Sequence, residues 1–158
     1  MFVLLTACKR QTAYFNYEHT PEAGWEKNDV LSFQTAPLEE GYYHEEIGIR
    51  ISGAYPFRGL TLIIDQATKD GQELRSDTLN CNLIDKRGYA TGRGINEYQY
   101  LLPLTTLHVD HDEALHITIR HDMKREILPG ITDIGVRLTK TKEVKSAAGY
   151  DPHRGAGR

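Results

Sequence analysis

The densest group of possible metal ligands lies between residues 108 and 121, in HVDHDEALHITIRH. A metal site needs three or more side chains that converge, and on an extended chain only residues two apart share a face. His108 and Asp110 satisfy that spacing. His116 belongs to the solvent-facing row of the following strand, whereas His121 continues its inward-facing row. The spacing therefore predicts a polar turn followed by a strand, and no metal site.

Other candidate motifs also fail on their spacing. TGRGINE has two glycines near a basic residue, but no Lys-Ser/Thr pair follows, so a hairpin with tight or bulged turns is favoured over a phosphate loop. The acidic pairs Glu39/Glu40, Glu45/Glu46 and Asp110/Asp112 are expected to solvate turns and edges, because adjacent side chains on a strand point to opposite faces. No serine lies in a nucleophile elbow; the serines considered are Ser32, Ser52, Ser76 and Ser146. We expect no catalytic residue, no cofactor and no enzymatic activity.

The hydrophobic pattern that must position these residues has a period of two. Alternation is strongest in IGIRIS (47–52), LHITIRH (115–121) and IGVRL (134–138). Weaker alternation occurs at 13–20, 30–35, 59–67, 72–85 and 97–104, with turn signals between these segments. The best helical candidate is one short turn near 122–127. The pattern predicts an all-β antiparallel sandwich of about eight strands, either a jelly roll or immunoglobulin-like, with a closed barrel less favoured.

Length and charge limit the other possibilities. The chain has 158 residues, enough for one domain, and its net charge of −3 gives no basic excess for binding nucleic acid. We expect the sandwich to cover residues 8–141 and residues 142–158 to be a disordered tail, because no apolar period continues after Leu138. Cys81 alternates with Leu79 and Leu83, which predicts an inward-facing small hydrophobic residue and not a reactive thiol.

The opening residues, MFVLLTACKRQ, contain a pattern for lipid attachment. LLTAC has small residues before Cys8, as in the processing site at which a bacterial lipoprotein acquires its lipid on the cysteine. Residues 1–7 are too short for a complete signal peptide, so we expect them to be the remnant of a longer one. The alternative is that residues 2–5 form a buried strand, with Cys8 at its edge.

Four interior stretches resemble, in order and spacing, the gliding-motility lipoprotein H (GldH) family of Bacteroidetes. They are GWEKNDVLSF, YPFRGLTLII, DTLNCNLIDKRGYATGRGINEYQY and MKREILPGITDIGVRL. The first stretch matches the family pattern at Trp25, Lys27, Asp29, Leu31 and Phe33. The second matches at Tyr55, Pro56, Phe57, Leu60 and Leu62, with Gly59 where the family usually has Asn. Tyr89 stands beside a glycine-rich segment where the family usually has Trp.

The resemblance implies a lipid-anchored, non-enzymatic β-sandwich that acts as an accessory or scaffold of a gliding-motility or related envelope complex. Its partners would be the membrane, through acylated Cys8, and other envelope proteins. Surface-exported lipoproteins of this bacterial group tend to carry acidic residues directly after the cysteine. Here Lys9, Arg10 and Gln11 follow it and the first acidic residue is Glu18, so we expect the domain to face the periplasm. The alternative function is glycan binding by an aromatic platform, which could be formed by Trp25, Tyr42, Tyr43, Tyr55 and Tyr89. A possible contact surface comprises Trp25, Tyr55 and Tyr89, although Trp25 is more readily explained as a plug at one end of the sandwich.

Overall fold

The computed structural model describes residues 11–142 and shows an all-β protein. No helix within this range is long and apolar enough to cross a membrane. The strands are β1 (Thr12–His19), β2 (Trp25–Glu26), β3 (Leu31–Gln34), β4 (Gly41–Ser52), β5 (Gly59–Thr68), β6 (Glu73–Asn82), β7 (Glu97–Val109), β8 (Leu115–His121), β9 (Ile127–Leu128) and β10 (Ile131–Thr141). The all-β prediction is confirmed. Cys8, the expected signal remnant 1–7 and most of the expected tail lie outside the described residues.

The pairing of the eight long strands is that of a jelly roll. One sheet, which we call sheet A, has the order β1-β10-β4-β7, and the facing sheet, sheet B, has the order β3-β8-β5-β6. All neighbours are antiparallel, and the pairs β1/β10, β3/β8, β4/β7 and β5/β6 are nested along the chain, the innermost pair being a hairpin. Nested pairing divided between two sheets is the jelly-roll arrangement, so the immunoglobulin-like alternative does not apply.

The strand register gives the sandwich two distinct ends. The proximal end carries residues 11 and 142 and the connections 35–40, 69–72 and 110–114. The distal end carries the four remaining connections, which span residues 20–30, 53–58, 83–96 and 122–130. The strands β2 and β9 lie within two of these distal connections and pair with each other.

The core lies between the two sheets and is built by the predicted alternation. In β4 the inward row contains Ile47, Ile49 and Ile51, each at most 1% exposed, and β8 contributes Leu115, Ile117 and Ile119 in the same way. Burial of an aliphatic side chain of this size contributes about 1.5–3 kcal/mol, so these rows supply much of the driving force for pairing the sheets.

The helical turn expected near 122–127 is absent, whereas Cys81 faces inward as predicted. The segment near 122–127 contains bends and the first residue of β9, and no helical turn. The His121 ring, at the end of β8, packs here against the Trp25 ring from the connection 20–30. This tertiary packing takes precedence over the local preference for a helix. Cys81 does face the core, but it is only partly buried because β6 is an edge strand of sheet B. Its thiol donates to the Leu60 carbonyl over 3.3 Å, and burial raises its pKa to about 11, which makes it unreactive near neutral pH.

Candidate functional site

Two of the three expected contact residues belong to the core. Trp25 on β2 is fully buried, and Tyr55 in the connection 53–58 is 4% exposed. The indole Nε1–H of Trp25 donates to the Asp29 carbonyl at 2.8 Å, and the Tyr55 hydroxyl donates to the Gly59 carbonyl at 2.8 Å. These bonds satisfy the polar atom of each ring, so both rings can be buried at the distal end. Neither ring is accessible to a partner.

The side chain that packs on Trp25 is His121. The two rings meet edge to face, with their centres 5.2 Å apart. His121 Nε2–H donates to the Trp25 carbonyl at 3.2 Å, and Nδ1 accepts the Met123 N–H at 3.4 Å, which fixes the neutral imidazole. Burial lowers the pKa of His121, with a smaller contribution from the charge of Lys27. His121 therefore holds the distal connections together. It lies on the inward row of β8, as the alternation in the sequence predicted.

Tyr89 is the one expected contact residue that is exposed, at 66%. It lies in the distal connection 83–96, together with Ile95, which is 87% exposed. The aromatic platform expected for glycan binding is not formed by the residues proposed for it: Trp25, Tyr43 and Tyr55 are buried, while Tyr42 and Tyr89 remain exposed. The proposed platform thus has most of its rings inside the sandwich.

The histidines and acids of the segment 108–121 are used in separate local pairs. His108 Nδ1 lies 3.6 Å from Asp110, and His111 Nε2 lies 2.9 Å from Asp112. His116 Nε2 is 2.7 Å from the Ser32 hydroxyl on the outer face of sheet B. Among residues 11–142, no three His, Cys, Asp or Glu side chains are grouped so as to hold a metal ion.

We therefore expect the thermal unfolding midpoint of the purified protein to be unchanged by a chelator. The physical reason is that a structural metal stabilises a fold only through ligands that converge in the native state. Melts with and without EDTA measure this, and a fall of many degrees on chelation would contradict it.

The contact between Ser32 and His116 was not expected from the sequence. A serine nucleophile requires a base that is itself oriented by a third group, and a pocket that binds the developing oxyanion. In the described part of the chain, the other imidazole nitrogen of His116 has no carboxylate partner, and both side chains lie on an open sheet face. This geometry is that of a cross-strand hydrogen bond, which stabilises the pairing of β3 with β8.

A shallow bowl of about 520 Å³ lies on the outer face of sheet A. Two contacts across strands occupy part of its polar lining: Arg137 makes two contacts of 2.7 Å with Glu46, and His44 Nδ1 lies 2.8 Å from the Thr106 hydroxyl. The charges of Arg137 and Glu46 neutralise each other. Glu45, which is buried, also belongs to the lining.

Beside the bowl, a tyrosine covers two glycines. Gly48 on β4 and Gly135 on β10 are directly opposite in the register, and the Tyr17 ring from β1 lies over both. A Cβ on Gly48 would be 2.5 Å from the Tyr17 hydroxyl, so the close approach requires glycine. The Arg50 guanidinium stacks on the Tyr17 ring, 3.9 Å from its centre. Tyr17 and Arg50 therefore cover this part of the outer face of sheet A.

Inside the sandwich, Glu45 carries a buried carboxyl group, so the expectation that it would solvate a turn or an edge is wrong. Glu45 is 1% exposed, and one of its oxygens accepts a hydrogen bond of 2.8 Å from Gln66 Nε2. Its other oxygen, Oε1, and Gln66 Oε1 are buried without a partner among the described residues. Burial raises the pKa of Glu45 to about 7. The signal was present in the sequence, because Glu45 is two residues before Ile47 and so continues the inward row of β4.

The contacts of these side chains do not identify the protein family, but a comparison with family models does. The family model described as GldH lipoprotein matches residues 12–138, which is most of the chain. The chain belongs to the GldH lipoprotein family. The match begins with β1 and ends within β10, so it covers the whole jelly roll. The resemblance stated from the sequence is thereby confirmed.

Similar solved structures add little to the family match, and no curated protein matches the chain. A GH115 4-O-methyl-α-glucuronidase with specificity for decorated arabinogalactans is 15% identical, with a TM-score of 0.46 over 89% of this chain and 19% of that chain. A CocE/NonD family hydrolase from Staphylococcus aureus is 9% identical, with a TM-score of 0.46 over 82% of this chain and 33% of that one. Eiger TNF from S. frugiperda is 10% identical, with a TM-score of 0.29 over 88% and 99% of the two chains. Similarities of this size carry no argument about function.

Membership of the GldH family has a direct physical consequence. The protein is a gliding-motility-related lipoprotein, and a lipoprotein is held at a membrane of the cell envelope by its lipid.

Proposed function

We propose that this chain is a non-enzymatic accessory or scaffold protein of a gliding-motility or related envelope complex, anchored by lipid on Cys8 and facing the periplasm. The observation that carries the proposal is the match of residues 12–138 to the GldH lipoprotein family. The LLTAC sequence before β1 supplies a cysteine in the position that a lipoprotein requires.

The polar groups of the domain support a structural role. In the described residues, the clustered charged and histidine side chains form local pairs, as in Arg137 with Glu46 and His121 with Trp25. The histidine closest to a serine hydroxyl lacks the third group of a catalytic triad. Local pairing of these side chains suits a domain that positions other proteins.

The position of the proximal end supports the anchor. Only Lys9, Arg10 and Gln11 separate Cys8 from β1, a segment that can span at most about 14 Å. A diacylated cysteine here would hold the proximal end near the bilayer, since two acyl chains suffice for stable anchoring. The distal end, with its four connections, would then be the end farthest from the anchoring membrane.

We expect replacement of Cys8→Ala in the full-length precursor to abolish lipid labelling and leave an unprocessed form. Each buried methylene of an acyl chain contributes about 0.8 kcal/mol to membrane partition, so the lipid is what holds the processed domain at the membrane. Labelling of the native strain with a palmitate analogue measures this. The matched control is Cys81→Ala, which replaces the partly buried thiol of β6 and should label like wild type. If Cys8→Ala labels as strongly as Cys81→Ala, the anchor is not on Cys8.

The scaffold role is tested by affinity purification of the tagged lipoprotein from its native envelope. We expect a defined set of envelope proteins to co-purify with wild type and Cys81→Ala and to be depleted with Cys8→Ala. Recovery of the lipoprotein alone under mild detergent would refute the scaffold role. Digestion by protease added to intact cells would refute the periplasmic orientation.

A further inference from the structure

The most exposed large hydrophobic side chains of residues 11–142 lie on one distal connection. Ile95 is 87% exposed and Tyr89 is 66% exposed, and the next in rank, Val30, is 52% exposed. A single exposed hydrophobic residue is ordinary, but two on one connection of 14 residues indicate an interaction surface.

The first part of this connection is a tight, hydrogen-bonded turn. The Asp85 N–H donates to the Tyr89 carbonyl at 2.8 Å, and the Thr91 N–H donates to the Leu83 carbonyl at 3.0 Å. Asp85 Oδ1 accepts the backbone N–H groups of Arg87 and Tyr89 at 2.8 and 3.0 Å, and these bonds lower the pKa of its carboxyl group. Tyr89 is therefore held in its exposed position by backbone bonds.

The second part is a small hairpin that presents Ile95. Arg93 and Gln99 exchange backbone hydrogen bonds of 3.0 and 2.8 Å, which places Ile95 in the turn between them. Gly94 has φ of 139°, and a Cβ there would collide with the Glu97 carbonyl oxygen, so the turn requires glycine. The Tyr100 hydroxyl donates to the Leu83 carbonyl at 2.5 Å and ties both turns to β7. A preformed surface loses little conformational entropy when it binds.

The connection carries three basic side chains and one acidic one, Asp85; Glu97 follows at the start of β7, where its carboxylate accepts a hydrogen bond from the Thr132 hydroxyl at 2.6 Å. Lys86, Arg87 and Arg93 are exposed, and the Arg87 guanidinium lies 5.6 Å from the centre of the Tyr89 ring. Among the described residues, no carboxylate lies within ion-pair distance of Lys86 or Arg93; Asp85 lies 3.7 Å from Arg87 and is already bound to the backbone. The chain as a whole has a net charge of −3, so this basic patch is a local departure from the overall charge.

We propose that the connection 83–96 is a docking surface for an acidic segment of another envelope protein. Tyr and Arg are enriched where protein interfaces are energetically important, and complementary charge steers the encounter. The proposal deepens and rests on the proposed scaffold function, because it names the surface that an anchored scaffold would present. A protein is favoured over lipid because the connection lies at the distal end, away from the end joined to Cys8.

The test places a photo-cross-linking amino acid at position 89 or 95 of the full-length lipoprotein in its native envelope. The matched control is position 74, because Leu74 is exposed (39%) but lies near the proximal end. We expect the same protein adduct from positions 89 and 95 and not from 74, with the cross-linked peptide rich in Asp and Glu. We also expect the double charge reversal R87E/R93E to reduce the adduct at least tenfold.

The charge-reversal variant should keep the wild-type melting temperature, since both side chains are exposed; a shift would be checked with Arg87→Gln and Arg93→Gln. No adduct at 89 or 95, an equal adduct at 74, or a yield unaffected by charge reversal would overturn the docking surface. An adduct with lipid would also overturn it, in favour of a membrane contact. If partners still co-purify while 89 and 95 give no adduct, the scaffold function stands and only this surface falls.

Discussion

Replacing Trp25 by alanine is expected to lower the free energy of unfolding by roughly 3–5 kcal/mol, the cost of truncating a fully buried aromatic side chain. The indole is 0% exposed, donates to the Asp29 carbonyl at 2.8 Å and packs edge to face on His121. Removal of the indole leaves a cavity, and the buried imidazole of His121 loses the ring against which it packs. Urea denaturation of the purified domain, with the midpoint and slope compared to wild type, measures the loss.

The matched control is Tyr89→Ala, which truncates an aromatic residue of the same distal end that is 66% exposed. Its effect on the free energy of unfolding should stay within about 0.5 kcal/mol. The pair of variants separates the two residues by role, since Trp25 acts in the core and Tyr89 is available to a partner. A loss below about 1 kcal/mol for Trp25→Ala would mean that the distal end is not closed by this side chain.

The sequence was sufficient for the fold class and for most of the long strands, because strands such as β4, β5 and β8 bury one face. Alternation in residues 47–52, 115–121 and 134–138 predicted parts of β4, β8 and β10 directly. It did not choose between a jelly roll and an immunoglobulin-like sandwich. That choice depends on which strands pair across long separations, such as β1 with β10, and period-two patterns look the same in either topology.

Trp25 was more readily explained as a plug at one end of the sandwich, and it is buried there, whereas Tyr55 was offered as a contact residue and is buried too. Trp25 and Tyr55 lie in connections, where no alternation indicates which way a side chain points. Both are buried because an N–H or O–H group finds a backbone carbonyl four residues away. Glu45 was expected at a solvated edge because its charge suggests solvent, whereas its register with Tyr43 and Ile47 places it inside.

The environment of Glu45 makes stability depend on pH. Desolvation is the main cause of its raised pKa, the hydrogen bond from Gln66 opposes it, and the nearby charge of Asp77 adds to it. Both unpartnered atoms at the site, Glu45 Oε1 and Gln66 Oε1, are acceptors, and a proton on Glu45 converts one of its oxygens into a donor. The folded state therefore favours protonated Glu45.

Replacing Glu45 by glutamine is expected to stabilise the protein above pH 7 and to flatten its stability profile below that. In wild type the pKa of Glu45 is raised from 4.5 when unfolded to about 7 when folded, so the folded state binds the proton more tightly. The contribution of Glu45 to the free energy of unfolding is fully present below pH 4.5 and is lost as the pH rises to about 7. The whole effect is on the order of 3 kcal/mol. Glutamine is neutral at every pH, has nearly the same shape, and keeps an oxygen for the Gln66 donor.

The adjacent residue provides the control, because Glu46 points outward and pairs with Arg137 at 2.7 Å. Glu46→Gln should cost no more than about 1 kcal/mol and should leave the pH dependence in place. The decisive quantity is the difference in unfolding free energy between Glu45→Gln and wild type, measured by urea denaturation at pH 5 and pH 8. That difference must grow in favour of the variant as pH rises. If it is the same at both pH values, Glu45 is ionised in the folded protein, and its two buried acceptors must be satisfied by some other donor, such as water.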